Sequence, residues 1–438
     1  MTTPQDQAFK SPKPTVDAPT VSERIVALDF IRGVAVLGIL FANITAFAHP
    51  VLAYYWPGAL PGGGSPADQA VWLFQFVFVD GKFRGLFTLL FGAGMVLFLE
   101  RAGTGAKGKG LQARRLFWLL LFGLAHFALL FVGDILFTYA IAGFFALLMI
   151  GWKPRTQLWT GLAWYTLASL ALTLLAGSQA ALEAEPALRS HPAIAEQWRA
   201  MQEGALSQVA EAHQVRTVYG GGSLLEVVAY RVREQSVMLA QAGFIALIET
   251  IPLLLIGMAL YRFGFFSGAL DRARMKRWSW IGLLVGALGS LALGWWTLSA
   301  GFPFFLTQFT FNGASSLPRL PMILGMAGLL VLAAPAAANG WPGRRIIAAG
   351  RMAFSNYIGT SVLMMLVFQG WAGGLFGRLD RIELLAFVLL GWVLMLAWSA
   401  PWLARFRYGP LEWLWRCLTY GRMSPFRREA LATASNSH

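Results

Sequence analysis

Long apolar stretches recur along this chain and constrain its fold more than any other feature. Runs of about 17 to 25 apolar residues are long enough to cross the hydrocarbon core of a bilayer as α-helices. The backbone finds no water there, so a helix, which bonds its own N–H and C=O groups, is the expected structure. The sequence predicts ten such helices, at 25–47, 72–99, 112–132, 134–151, 157–178, 237–261, 278–299, 319–337, 346–370 and 382–403. We therefore expect an all-α polytopic membrane protein.

The charged residues indicate how the chain is oriented. Only 13% of the 438 residues are charged, whereas a soluble globular protein has about 25%. The net charge of +14 lies in short basic clusters after the second, fourth, sixth, eighth and tenth apolar runs, so no nucleic-acid partner is expected. Cytoplasmic loops are enriched in Lys and Arg. The pattern predicts that both termini are cytoplasmic.

Shifts in composition divide the chain into five segments. The Pro-rich residues 1–23 are typical of a disordered cytoplasmic tail. Two blocks of membrane helices, 24–178 and 237–403, flank residues 179–236, whose charged, Ala-rich pattern predicts a helical extracytoplasmic cap. A solvated linker is the alternative for that segment. Residues 404–438 are aromatic and basic, which predicts a cytoplasmic interfacial tail.

The first apolar run carries polar residues that a lipid-facing helix would exclude. On a helix, Arg32 and Asn43 fall within about 20° of each other, and Asp29 lies roughly 60° from Arg32. Charges inside a bilayer are costly unless they face the protein interior, which predicts a buried binding surface on this helix. The alternative is that Asp29 and Arg32 lie at the head-group level and only set the depth of the helix.

The second run is too long for a simple crossing. From Val71 to Leu99 a helix would measure about 43 Å, against a bilayer core of about 30 Å. Either its first part, residues 71–79, is tilted or interfacial, or the helix breaks at Gly81. A break would put Lys82 and Arg84 near the outer face or in a water-filled cavity.

His126 and Asp134 are the candidate catalytic residues. His126 lies in the third run, about one and a half turns below the tight turn that leads to Asp134. An imidazole in the membrane can act as a general base, and a carboxylate can orient it or stabilise its cation. The alternative is a core histidine that is hydrogen-bonded to another helix. A further histidine, His49, follows the first run and is more typical of a loop.

Three other polar residues inside apolar runs are candidate binding residues. Glu249 lies mid-run beside Pro252, where it could pair with an arginine, relay protons or cap free carbonyls. Arg351 opens the ninth run, and Asn356 follows one turn later, where it could instead bond helix to helix. With the single cysteine Cys417, no cysteine metal site is proposed, and no metal is expected.

Several of these stretches together resemble a known family. They are LDFIRGVAVLGILFANI, DGKFRGLFTLLFGAG, FGLAH with GDIL and YAIAG, LLIGMALYRFGFFSG, GRMAFSNYIG and FRYGPLEWLWRCLTYG. In this order they resemble the YeiB-type proteins, a bacterial inner-membrane family of unknown function, and the resemblance covers residues 24–421. It implies a multi-pass protein of the bacterial inner membrane.

The resemblance also implies a reaction. The family is generally grouped with transmembrane acyltransferases, whose pattern begins as Asp29, Arg32 and Gly33 do here. The bacterial acyltransferases have a catalytic histidine where this chain has Asn43, so that role does not carry over. His126 and Asp134 fall in the YeiB-type motif itself and become the preferred active-site residues.

We therefore expect an acyltransferase that moves an acyl group from a cytoplasmic donor to an extracytoplasmic hydroxyl or amine acceptor. Acyl-CoA is the candidate co-substrate, no bound cofactor is expected, and Arg32 and Arg84 would meet donor phosphates or an acyl carbonyl. Membrane lipids are expected partners, and a homo-oligomer is compatible with the sequence. The alternatives are a transporter with a midplane site at Glu249, and a scaffold without chemistry.

Overall fold

The structure is a computed structural model and describes residues 21–60, 64–103 and 105–428. Most of the predicted N-terminal tail, residues 1–20, lies outside the described residues. The described chain is built from α-helices joined by short turns. In chain order they are α1 (Val21–Ala48), α2 (Leu52–Tyr55), α3 (Pro66–Phe78), α4 (Lys82–Ala102), α5 (Ala106–Leu129), α6 (Leu136–Leu148), α7 (Pro154–Ala184), α8 (Pro192–Gly221), α9 (Leu224–Arg233), α10 (Val237–Ile245), α11 (Ile251–Arg262), α12 (Arg272–Ser299), α13 (Phe304–Gln308), α14 (Ser316–Asn339), α15 (Trp341–Arg351), α16 (Ala353–Phe368), α17 (Leu384–Arg405) and α18 (Pro410–Tyr420).

Fewer helices meet the length and composition expected of a membrane-crossing helix than the ten that the sequence predicts. In the described chain, seven helices are long and apolar enough to cross a bilayer, and the α15–α16 pair, bent by 86°, would be an eighth. The runs predicted at 112–132 and 134–151 do form helices, α5 and α6. However, α6 has only 13 residues, and α5 begins with a basic segment. The all-α membrane fold is confirmed, and the count of ten is not.

Exposed apolar side chains mark the surface that faces lipid. On α12, Leu284 is 53% exposed and Leu288 is 64% exposed, and on α7 Leu167 and Leu174 are 66% and 74% exposed. A soluble monomer rarely carries so large an apolar surface. These outer helices therefore lie against the acyl chains of the membrane.

Helix α1 lies at the centre of the bundle. It packs against α4, α14, α15, α16 and α17. Its apolar stretch is 67% buried, compared with 17% for the peripheral α7. The sequence-based expectation that the first run is a buried helix is therefore correct.

Glycines allow two of the central helices to approach each other closely. A Cβ atom at Gly92 of α4 would overlap the carbonyl of Leu254 on α11, and one at Gly257 of α11 would overlap the carbonyl of Leu89 on α4. Small residues at such crossings let the two helices pack closely. In lipid, where the hydrophobic effect does not drive helices together, this close packing stabilises their association. This contact fixes α11, and the residues just before it, next to α4.

The predicted cap segment is helical and covers one end of the bundle. It contains α8 and α9, and Ser223 with Glu226 forms a capping box at the start of α9. Arg231 of α9 donates to the carbonyl of Ala128 at 3.5 Å, next to the turn that joins α5 to α6. We call the side that carries α8, α9 and this turn the cap side.

At the opposite end of the bundle, a side chain of α18 accepts hydrogen bonds from the free backbone N–H groups at the start of α16. The carboxylate of Glu412 accepts hydrogen bonds from the backbone N–H groups of Phe354 and Ser355 at 2.8 and 3.1 Å. These N–H groups belong to the first turn of α16, where the helix itself offers no acceptor. The C-terminal helix is thus attached to the bundle by a capping carboxylate.

Candidate functional site

A chamber of about 730 Å³ with charged residues in a largely apolar wall lies on the cap side of the bundle. Such a volume is in the range of about 300 to 1,000 Å³ that small-molecule sites occupy. Its wall combines parts of α1, α2, α4, α7, α8, α10 and α14 with the turn before α6. On α1 the lining residues run from Ile39 to Ala46, so the chamber occupies the half of the bundle next to the cap.

Two π-helical segments also form its wall. One, Ala246–Thr250, joins α10 to α11, and the other, Phe309–Ala314, joins α13 to α14. Pro252, which follows the first segment, has no N–H to bond the preceding turn, and this favours a widened turn. Such segments are frequent at functional sites. Both widened turns face the chamber, and the first of them carries Glu249.

An Arg–Glu–Arg cluster lies in the chamber wall. Arg84 donates from Nη2 to Oε2 of Glu249 at 2.6 Å, and Arg319 of α14 approaches the same oxygen from Nη1 at 3.4 Å. The side chain of Arg84 remains 30% exposed, whereas those of Glu249 and Arg319 are 14% and 8% exposed. Two guanidinium groups therefore share one carboxylate inside the membrane protein.

The break in the second apolar run positions this cluster. Gly81 has a φ of 75° and separates α3 from α4, so the predicted break at this residue is confirmed. A Cβ atom here would overlap the guanidinium of Arg319. Arg84 consequently lies in the first turn of α4, beside the chamber.

Lys82 and Asp80, which flank this break, have partners of their own. Lys82 is 1% exposed and donates from Nζ to the carbonyl of Phe76. Asp80 accepts from the hydroxyl of Tyr54 at 3.2 Å. Unlike Arg84, Lys82 does not line the chamber, so its observed contact is with the end of α3.

His126, which lies behind the chamber wall, forms a hydrogen-bonded pair with the wall residue Asp134. Nδ1 of His126 lies 2.8 Å from Oδ1 of Asp134, and Nε2 lies 2.9 Å from the hydroxyl oxygen of Ser361 on α16. Asp134 also accepts from the backbone N–H of Phe137 at 2.6 Å. Both side chains are only 1% exposed. Asp134 belongs to the chamber wall, whereas His126 does not line it.

The remaining predicted residues divide between the chamber and the opposite half of the bundle. Asn43 is half-buried and lines the chamber. Asp29 and Arg32 form an ion pair at 2.7 Å on the half of α1 away from it. Arg351 is exposed, and Asn356 is buried with its amide bonded to Ala349, Ser399 and Trp398. The structure therefore does not bring Arg32, Arg84 and His126 into one cavity.

Arg319 is the main residue that the sequence-based search did not select. It stands at the edge of the eighth apolar run, between Pro318 and Pro321. A charge at the edge of an apolar run is easily taken for a head-group anchor. The available signal was its position between two prolines. Prolines in a membrane helix leave backbone groups without helical hydrogen bonds, and other protein groups or water must then bond them.

His49 has a structural position at the end of α1. It is 1% exposed, and its Nε2 donates to the carbonyl of Leu379 at 2.8 Å. Burial lowers the pKa of His49 from 6.5 to about 4, so the ring is neutral near pH 7. This contact ties α1 to the loop before α17.

In the described part of the chain, no group of three or more His, Cys, Asp or Glu side chains is arranged to hold a metal ion. What the fold and the chamber define is an integral membrane protein of the all-α class with a charged cavity on one side. The chemistry available at that cavity is recognition by guanidinium groups, together with a buried His–Asp pair whose Asp134 belongs to the wall.

Comparison with known proteins identifies the family. Residues 260–422 match a family described as "Protein of unknown function (DUF418)". The chain is 32% identical to the uncharacterized protein YeiB of Escherichia coli K12 over 409 residues, which cover 92% of this chain and 98% of YeiB. It is 30% identical to the uncharacterized protein YxaH of Bacillus subtilis, over 94% of this chain and 98% of YxaH. The chain belongs to this YeiB-type family. No solved structure matches it.

Proposed function

We propose that the protein is a transmembrane acyltransferase of the bacterial inner membrane, with the chamber as its substrate site. The observation that carries the proposal is the chamber itself, which combines an Arg–Glu–Arg cluster with a wall residue, Asp134, that is bonded to His126. The basic loops of the sequence orient the cap side, and the chamber with it, toward the extracytoplasmic side. An acceptor in the chamber would then be reached from outside the cell.

The reaction requires a group that takes a proton. The hydroxyl or amine of the acceptor attacks the carbonyl carbon of the donor, and the bond from that carbon to the leaving group breaks. The proton of the acceptor passes to the Asp134–His126 pair and from there to the leaving group, the thiolate if the donor is an acyl-CoA thioester. Because both side chains are 1% exposed, the turn at 131–135 must shift to present Asp134 to the acceptor.

The donor's route is a separate part of the proposal. The residues with which α1 lines the chamber all belong to its cap-side half. Acyl-CoA bound on the opposite side would therefore deliver its acyl group through a passage that opens during the reaction. Arg84 and Arg319 are suited to hold an anionic part of either substrate, because guanidinium groups match carboxylate and phosphate geometry.

The proposal is tested by acyl transfer in proteoliposomes that contain purified protein and membrane lipid extract, with radiolabelled acyl-CoA on one side at a time. We expect label to appear in a lipid or soluble acceptor, and His126→Ala to lower the rate by about 10²-fold or more. Ser361→Ala is the matched control, since it keeps the His126–Asp134 bond, and it should change the rate only several-fold. Equal rates for His126→Ala and wild type would remove the pair from the mechanism.

A transporter is the second candidate, because two π-helical segments line the chamber that holds the charged cluster. Discontinuous helices around a site deep in the membrane are common in secondary transporters. In the same proteoliposomes, uptake of an amphiphile without any acyl donor, together with no acyl transfer from any donor, would favour transport.

A further inference from the structure

The guanidinium groups of the chamber have more hydrogen-bond donors than Glu249 can accept. Each guanidinium offers five N–H donors. Arg319 bonds Glu249 weakly, at 3.4 and 3.5 Å, and its better bond is to the hydroxyl of Ser315 at 2.8 Å. Its Nε is buried without a hydrogen-bond partner among the described residues. The 30% exposed side chain of Arg84 leaves further donors directed to the chamber.

The charge count of the cluster is also incomplete. Two arginines carry two positive charges and Glu249 carries one negative charge. Two further carboxylates, Asp134 and Glu211, also line the chamber, but among the described residues neither forms an ion pair with Arg84 or Arg319. The three-residue cluster itself therefore carries one more positive than negative charge, and such a buried excess is costly unless a counter-ion approaches it. The chamber is the space from which such an anion can reach both arginines.

The wall of the chamber formed by α10 is thin and, apart from Gln241, apolar. Phe244 and Ile245 line the chamber, and Phe244 is also 55% exposed. Among the described residues of α10, none is fully buried, so this helix separates the chamber from its surroundings with a single layer of side chains. Val237, at the start of α10, is 57% exposed and lines the chamber as well. An apolar chain can therefore lie along this wall.

We propose that the chamber binds an anionic amphiphile, with the phosphate or carboxylate head group on Arg84 and Arg319 and the chain along α10. The assignment rests on the proposed function only in taking the chamber as the substrate site. Paired guanidinium donors bind an oxyanion in a planar, bidentate manner, which a cationic head group cannot match. Glu249 weakens the binding of the anion, because its carboxylate competes with the ligand for both arginines.

The experiment measures equilibrium binding to the full chain in nanodiscs of zwitterionic lipid. The probes are dodecyl phosphate, dodecanoate, inorganic phosphate and dodecyltrimethylammonium. We expect saturable binding of one or both anionic amphiphiles, with the tighter of them identifying the head group as phosphate or carboxylate. Inorganic phosphate alone should bind at least about tenfold more weakly, and the cation should not compete.

The variants separate recognition from structural support. Arg84→Gln and Arg319→Gln should each weaken binding about tenfold or more, whereas Glu249→Gln should strengthen it, which a purely structural ion cluster would not predict. Arg274→Gln, an exposed arginine at the start of α12, is the control and should bind like wild type. If Arg84→Gln does not fold, Arg84→Lys replaces it in the test. This variant keeps the positive charge but not the planar guanidinium group, and it should bind with intermediate affinity.

Equal binding of the cationic probe, or unchanged affinity in both arginine variants together with no gain in Glu249→Gln, would overturn the assignment. The outcome is independent of the reaction. Binding with this charge dependence but no acyl transfer from any donor would contradict acyl transfer alone. Acyl transfer that is insensitive to both arginine variants would contradict only the anion site.

Discussion

Buried arginines occupy two kinds of position in this protein. Arg381, which is 1% exposed, has its Nη atoms bonded to Gln75 at 2.8 Å and to the carbonyl of Ala53 at 2.7 Å. It joins the loop before α17 to the chain around α2 and α3. Arg84 and Arg319 instead share Glu249 and border open space. What separates the two kinds of position is the chamber, because Arg84 and Arg319 line it and Arg381 does not.

A residue-scale prediction concerns the neutral His49. Its pKa is about 4 in the fold and 6.5 when exposed. Between these pH values the unfolded chain binds more protons, so the free energy of unfolding should rise with pH across this window. The contribution is about 3 kcal/mol. Thermal unfolding of the purified protein, measured from pH 4 to 6.5, checks it.

The control for this prediction is His49→Gln. Its amide can donate to the carbonyl of Leu379 and does not titrate, so the rise in stability with pH should be reduced in this variant. A variant with the same pH dependence as wild type would show that another group is responsible.

At this scale the sequence predicted which residues are unusual but not their partners. The polar positions at Asn43, Arg84 and Glu249 all lie at the chamber. The bond between Arg84 and Glu249 spans 165 positions, and no local pattern encodes such a separation. Arg32 does not reach the chamber, because helical periodicity gives the direction of a side chain, whereas its depth along the helix decides which cavity it meets.

At the scale of helices, the breaks in regular α-helix form part of the chamber wall. The break at Gly81 could be predicted, since glycine and charged residues interrupt an overlong apolar run. The π-helical turn at Ala246–Thr250 was signalled only by Pro252, and the one at Phe309–Ala314 lies outside the predicted runs. The capping of α16 by Glu412 could not be predicted. Sequence signals for helix caps involve residues next to the helix end, whereas Glu412 lies 57 positions from Ser355.

Two glycines of α4 provide a matched test of helix packing. Gly92→Ala places a methyl group on the carbonyl of Leu254, whereas no described atom lies within 4 Å of a Cβ built at Gly94. Overpacking should destabilise Gly92→Ala by about 1 to 3 kcal/mol or more. Gly94→Ala should be neutral or stabilised by up to about 1 kcal/mol, because alanine favours the helix.

The measurement for this pair is the thermal unfolding temperature of each variant in the same detergent. Gly92→Ala should unfold at a lower temperature than wild type and Gly94→Ala should not. If the two variants unfold together, α4 and α11 are not in the close contact described above.

At the scale of the whole molecule, apolar run length and helical periodicity were sufficient to predict an all-α membrane protein with a buried first helix. They were not sufficient for the number of crossings. A run such as 134–151 has the length of a crossing helix in the sequence, but its helix α6 has 13 residues. The chamber could not be predicted either, because its wall is assembled from helices that are distant in the sequence.

The central claim is that the chamber opens to the extracytoplasmic side, and cysteine accessibility at Asn43 tests it most directly. With Cys417 replaced by serine, Asn43→Cys should react with a membrane-impermeant thiol reagent added outside intact spheroplasts. Ser290→Cys, at a position that is 0% exposed and outside the chamber wall, should not react. Labelling of Asn43→Cys only from the cytoplasmic side, or from neither side, would contradict the account.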